Sequence, residues 1–185
     1  YKRQVIMGVV GFGGMFSVYT YISWTMTEVA GMDQSLIWVV LMAYGIGMTI
    51  GNAFGGWLAD RNLEFGIIFA LACLIVILTA FYFLSGHAIP ATICFGCVAF
   101  MGSTLVPSLQ LRLVHVAGDA QTLAAALNQS ALNIANAAGA TIGGAVVGAG
   151  LGYSAPALAG AALAAAGCLV WAATMWDKKR LSRRA

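Results

Sequence analysis

Six apolar stretches, each about as long as a helix must be to cross a bilayer, run through this sequence from end to end: 5–29, 36–58, 66–84, 89–109, 122–149 and 155–176. A hydrocarbon core takes about 20 helical residues to span, and inside it every backbone N–H and C=O must be bonded within the protein. Water offers such segments only burial or aggregation. With 185 residues, of which 61% are hydrophobic and 8% charged, the chain has too little interior to hide them; soluble domains carry about 25% charged residues. The reading is therefore an all-α membrane protein. Residues 1–185 form one six-transmembrane-helix bundle, and 177–185 a basic tail. Abundant Gly (23) beside scarce Pro (3) fits closely packed membrane helices.

The breaks between the stretches (28–34, 59–64, 85–88, 111–120 and 150–154) hold nearly all the charge. The fourth is the least sharply drawn, because Arg112 and His115 fall in mixed sequence after Pro107. With the N-terminus in the cytoplasm, Lys2, Arg3, Arg61, Arg112 and the cluster Lys178, Lys179, Arg180, Arg183 and Arg184 all lie on the cytoplasmic side. That arrangement satisfies the positive-inside rule and places both termini in the cytoplasm. The net charge of +3 comes from this tail and is no nucleic-acid footprint. Residue 1 is Tyr and no cleavable leader is visible, which fits a fragment or a processed chain.

The loops are too short for an extramembrane catalytic or receptor domain, so function has to reside between the helices. No nucleotide-binding loop, metal cluster or nucleophilic triad is present, and the reading is neither an enzyme nor a cofactor or metal binder. Cys73, Cys94, Cys97 and Cys168 all sit in apolar runs and read as inert packed thiols.

Two spans carry overlapping G-x-x-x-G units: Gly47, Gly51 and Gly55 on the second, and Gly139 with Gly143, then Gly144 with Gly148, on the fifth. Four-residue spacing puts such glycines on one helix face, where another backbone approaches closely. Static packing and a smooth seam along which helices rock both follow from that device. At the end of the second span comes Gly56-Trp57-Leu58-Ala59-Asp60-Arg61. Asp60 is placed to cap the next helix, and Arg61 to pair with an acidic group or a helix C-terminus.

This stretch resembles the G-x-L-A-D-R-x-G-R-[KR] loop motif of the major facilitator superfamily. It matches at Gly56, Leu58, Ala59, Asp60 and Arg61 and departs at Leu63, Glu64 and Phe65. Tyr19 to Ile22 with Thr27 to Gly31, and Ala126 to Ala140 with Gly143-Gly144 and Gly152-Tyr153, resemble the same superfamily, particularly its bacterial drug/proton antiporter and arabinose or sugar efflux permease branch. The resemblance covers helices seven to twelve, the C-terminal half of a twelve-helix fold built from 3+3 inverted repeats.

What the resemblance implies is a secondary transporter of the bacterial inner membrane, exporting a drug, sugar or other small amphipathic solute by alternating access. Its partners are the lipid bilayer, the solute, protons as coupling ion and an N-terminal six-helix half. A half-size homodimeric transporter and a non-transporting sensor or assembly subunit are the rival readings.

The implied central cavity directs attention to polar residues within spans, since polar groups facing lipid are costly. Gln129, Asn133 and Asn136 fall on one stripe of the fifth span at about 100° per residue, with Thr122, Ala140 and Gly143. On the first span Gly13, Ser17, Thr20 and Trp24 form a stripe with Tyr21 and Glu28 beside it. Ser17, Thr20, Tyr21, Trp24, Gln129, Asn133 and Asn136 are thus the candidate cavity residues. Interhelical hydrogen bonding would equally explain the amides, and an interfacial anchor Trp24. Arg112 is placed to meet Asp60 or Glu64 at a cytoplasmic gate with Gly56 and Arg61, or to snorkel to headgroups. No ionisable group lies at mid-depth; His87 and His115 sit in loops.

Overall fold

Intrahelical hydrogen bonding satisfies the backbone almost throughout. The computed structural model describes residues 2–117 and 121–182, with side-chain surroundings for 9–112, 122–123 and 125–176. Lys2, Arg3, His115, Asp119 and the basic tail from 177 lie outside the residues with described side chains. The chain runs as α1 (Lys2–Trp24), a π-turn (Thr25–Val29), a 3-10 turn (Gln34–Leu36), α2 (Ile37–Leu84), α3 (Ala88–Ala117), α4 (Gln121–Gly148) and α5 (Ala155–Ser182). Among the described residues, four helical stretches are long and apolar enough to cross a membrane: Gln34–Leu84, Ala88–Arg112, Ala125–Gly148 and Ala155–Trp176.

The first of these has 51 residues. At 1.5 Å per residue it would extend about 76 Å, far beyond a hydrocarbon core of about 30 Å. It is divided at Asn62, whose φ of −157° and ψ of 91° lie outside the helical region. Two legs result, 37–61 and 63–84. Asn62 Oδ1 accepts a hydrogen bond from the Phe65 N–H at 3.1 Å and so caps the second leg. Asp60, expected to be that cap, is still helical and exposed. An extended residue followed by a helix is the N-cap geometry, and Asn62 is the residue that has it.

Three other boundaries move. α1 widens into the π-turn before the first span ends. α3 passes through Pro107 and continues to Ala117, so Arg112 is a helical residue and the expected break at 111–120 shrinks. α5 runs past Trp176 to Ser182.

α1 is the organising element. Phe12, Met15, Val18, Ile22 and Met26, three or four residues apart, form its buried face. They join Ile67, Leu71, Leu74, Leu78 and Phe81 of the second α2 leg and Phe95, Val98 and Leu105 of α3 in one core. Val76, Phe83, Ile89, Ile93 and Leu169 remain exposed, an apolar outside suited to hydrocarbon.

Glycines set the helix spacing. A Cβ on Gly47 would meet the Gly96 carbonyl oxygen, one on Gly51 that of Phe100, and one on Gly55 that of Thr104, all on α3. Gly139 of α4 lies in the same way against Gly13 of α1, and a Cβ on Gly143 would come within 3.0 Å of the Tyr21 ring. The Thr104 hydroxyl adds a bond to the Gly51 carbonyl at 3.2 Å.

Hydroxyls fasten the start of α5. Ser17 Oγ donates to the Pro156 carbonyl at 2.8 Å, Thr25 Oγ1 to that of Tyr153 at 2.8 Å, and Ser85 Oγ lies 2.7 Å from Ser154 Oγ.

A candidate solute-binding face on three helices

With its aliphatic residues turned inward, α1 and its π-turn present Tyr19, Thr20, Ser23, Trp24, Thr27 and Glu28 on the opposite side, each exposed or half-buried. The i, i+3/i+4 spacing gathers these rings, hydroxyls and the carboxylate into one stripe. A stripe of that composition is costly against acyl chains and favourable beside water or a polar partner.

The neighbours of α1 flank this face on both sides. On one side the Tyr19 ring lies 4.8 Å from that of Tyr44 in the first α2 leg, which stacks at 4.8 Å on Phe95 of α3. On the other side Tyr21 donates to the Ala140 carbonyl of α4 at 3.3 Å. One turn earlier than Ala140 on the same stripe is Asn136, followed by Asn133 and Gln129; all three amides are exposed. Thr49 and Asn52 of the first α2 leg are also exposed, Thr49 bordering a separate apolar groove with Met42, Gly45, Ile46 and Ile50.

Of the residues expected in a cavity, Ser17 is misplaced. It is 0% exposed and its hydroxyl is engaged by Gly14 and Pro156, so it is a packing residue between α1 and α5. Thr20 is half-buried and bonded to the Phe16 carbonyl at 2.9 Å. Trp24, 52% exposed, has its ring 6.2 Å from that of Tyr21. Sequence reasoning passed over Tyr19, Ser23, Thr27, Thr49 and Asn52. The repeat of hydroxyl and aromatic residues at 16, 19–20, 23–24 and 27 was the available signal for the first three.

At the far end of the first α2 leg the motif residues separate. Gly56 and Asp60 border a notch of about 310 Å³ that reaches Pro107, Gln110 and Leu111 of α3. The Arg61 guanidinium sits 4.0 Å over the Trp57 ring, a cation–π contact in place of the expected acidic or helix-end partner. Arg112, its side chain 4% exposed, lies 3.0 Å from Glu64, and the Trp171 indole N–H donates to the same Glu64 oxygen at 3.1 Å. The guanidinium Nη atoms have no aligned hydrogen-bond acceptor among the described residues. Glu64, not Asp60, is thus the partner of Arg112, and the pair joins α2, α3 and α5.

Long apolar helices, glycine seams inside and an apolar exterior interrupted by one aromatic, amide-bearing face define a polytopic helical membrane protein. Residues 4–185 match the family model of the Major Facilitator Superfamily, and the chain belongs to that superfamily. It is 39% identical over 146 residues to the inner membrane transport protein YdhP of Escherichia coli strain K12, covering 79% of this chain and 38% of the relative. It is 28% identical to a chloramphenicol resistance protein of Streptomyces lividans, over 90% of this chain and 42% of that one. To a probable sugar efflux transporter of Helicobacter pylori it is 27% identical, over 82% and 40%. The chain therefore spans about two-fifths of the length of these curated relatives.

Proposed function

We propose that this chain is the C-terminal six-helix half of a twelve-helix transporter of the bacterial inner membrane. In this reading a 3+3 inverted repeat rocks against an N-terminal half, both termini are cytoplasmic, and a small amphipathic solute is exported by alternating access. The observation that carries it is the outward face of α1 and α4, where Tyr19, Ser23, Trp24, Gln129, Asn133 and Asn136 are exposed on helices whose residues are mostly apolar. Such a face suits the wall of a wet cleft between two bundles. The relatives' names, in transport, sugar efflux and chloramphenicol resistance, point to export. Protons are the coupling ion in this reading. No carboxylate lies at mid-depth in the sequence, and in this reading the proton carrier belongs to the N-terminal half, with Glu28 as the substitute within this chain.

The test uses the full-length transporter in a strain lacking it. Asn133→Ala and Asn136→Ala each remove an amide whose hydrogen bond to solute is worth about 1–1.5 kcal/mol. Efflux at low solute concentration should fall about tenfold at unchanged protein level, while Ile134→Ala leaves it intact. Asn133→Cys and Asn136→Cys should react with a membrane-impermeant maleimide, protected by solute. Wild-type efflux from both alanine variants, with no labelling of either cysteine, would sink the reading.

A further inference from the structure

At the α1–α2 end of the molecule the backbone departs from regular geometry without a proline to cause it. Over Thr25–Val29 the helix widens: Ala30 N–H donates to the Thr25 carbonyl at 3.1 Å and Met32 N–H to that of Met26 at 2.9 Å. Turns of this kind are rare and frequent at functional sites. Trp24 and Glu28, four residues apart, lie one turn from each other along the same side of the helix.

Beside this turn is a cavity of about 590 Å³, lined among others by Ser23, Trp24, Thr27, Glu28, Met32 and Ile37. That volume is within the range of small-molecule sites. Its walls offer an exposed indole face, a carboxylate, a thioether and an aliphatic side chain. The Thr27 hydroxyl proton is already given to the Ser23 carbonyl at 3.0 Å, which leaves its oxygen as an acceptor. Asp33 is close by in sequence, its Oδ1 bonded to the Ser35 N–H at 2.7 Å. All nine Lys and Arg lie elsewhere, at 2–3, 61, 112 and 178–184, and Glu28 has no ion-pair partner among the described residues. Acceptors, negative charge and a π face without a neighbouring base select for a positively charged guest.

We propose that this cavity recognises an amphipathic organic cation. The cationic centre rests between the Trp24 ring and the Glu28 carboxylate, and the apolar body lies against Met32 and Ile37. The inference rests on the transporter reading only for what happens after capture.

The test is equilibrium binding of radiolabelled tetraphenylphosphonium to the purified full-length transporter in detergent, which requires no transport. Glu28→Gln and Trp24→Ala should each weaken binding about tenfold, Glu28→Asp and Trp24→Phe should retain most of it, and Asp33→Asn should change it less than about twofold. Monodisperse elution and wild-type melting of Glu28→Gln separate loss of the site from loss of the fold, and the two conservative variants serve if that variant misfolds. Undetectable binding to wild type, or wild-type affinity in both Glu28→Gln and Trp24→Ala, overturns the proposal. Glu28-dependent binding of tetraphenylphosphonium together with failure of the efflux and labelling test above would refute the export reading and leave this one standing. Efflux of another solute with Glu28-independent binding would do the reverse.

Discussion

The joint between the first α2 leg and α3 gives a quantitative test of how the glycines work. A methyl group at Gly51 would fall on the Phe100 carbonyl oxygen and within 2.9 Å of that residue's carbonyl carbon and Cα. These are backbone atoms and cannot rotate aside, and carbon atoms settle no closer than about 3.5 Å. Gly51→Ala must therefore part the helices by about 0.6 Å or more. Overpacking of this kind costs about 1–3 kcal/mol. The 3.2 Å bond from Thr104 to the Gly51 carbonyl stretches past hydrogen-bonding range, which removes about 0.6 kcal/mol more. Alanine's better helix propensity returns up to about 1 kcal/mol, so the net loss is about 1–2 kcal/mol. Gly45, on the same helix, has nothing within 4 Å of the corresponding position, and Gly45→Ala, which gains the propensity without a clash, should be between neutral and about 1 kcal/mol more stable than wild type. Thermal denaturation of the full-length transporter in detergent, read by the monodisperse fraction surviving each temperature, compares the two. Equal melting of Gly51→Ala and Gly45→Ala would refute the close-packed joint and favour a loose sliding seam.

Three further expectations concern residues whose roles the structure redefines. Ser17→Ala should destabilise by about 1 kcal/mol and leave solute affinity unchanged, because a residue 0% exposed does not meet solute; an altered efflux spectrum at wild-type stability would contradict this. Asn62→Ala should lower stability by about 1 kcal/mol through loss of the cap while Asp60→Asn stays within about 0.5 kcal/mol, both read by thermal melting, and the opposite order would return the cap to Asp60. Arg112→Met should cost about 2–3 kcal/mol, less than a fully buried pair because Glu64 is 31% exposed and can rehydrate. Adding Glu64→Gln should recover part of that loss, and strictly additive melting shifts in the double variant would show the pair to be uncoupled.

Whatever depends on length and polarity along the chain was legible in the sequence. The turn near residue 60, the short α4–α5 connection and the glycine positions all follow from period and composition. Facing was less accessible. A hydroxyl on a helical stripe looks the same whether it meets water or a neighbouring carbonyl, so Ser17 reads as a cavity residue although Pro156 of α5 is its partner. Asp60 and Asn62 are both good caps by residue type, and only the backbone angles distinguish them. Asn52 was absorbed into the glycine motif around it, though it is exposed. The π-turn has no proline or glycine within Thr25–Val29 to announce it. The partner of Arg112 depended on two breaks of the chain folding to one end, and sequence spacing could not choose between acids four residues apart.

The hydroxyl fastenings at the start of α5 bear on the order in which the protein can be made. Each also bonds within its own helix: Ser17 to the Gly14 carbonyl at 2.9 Å, Thr25 to that of Tyr21 at 3.0 Å, and Ser85 to that of Tyr82 at 2.8 Å. Before α5 is delivered, these three groups can wait in lipid with a local acceptor and no orphaned proton. When 153–156 arrive, the Ser17 and Thr25 protons are shared across to the Pro156 and Tyr153 carbonyls, and the Ser85 and Ser154 hydroxyls pair. The preceding helices can therefore wait in the membrane with these groups satisfied, and α5 docks onto them when its first turn is delivered.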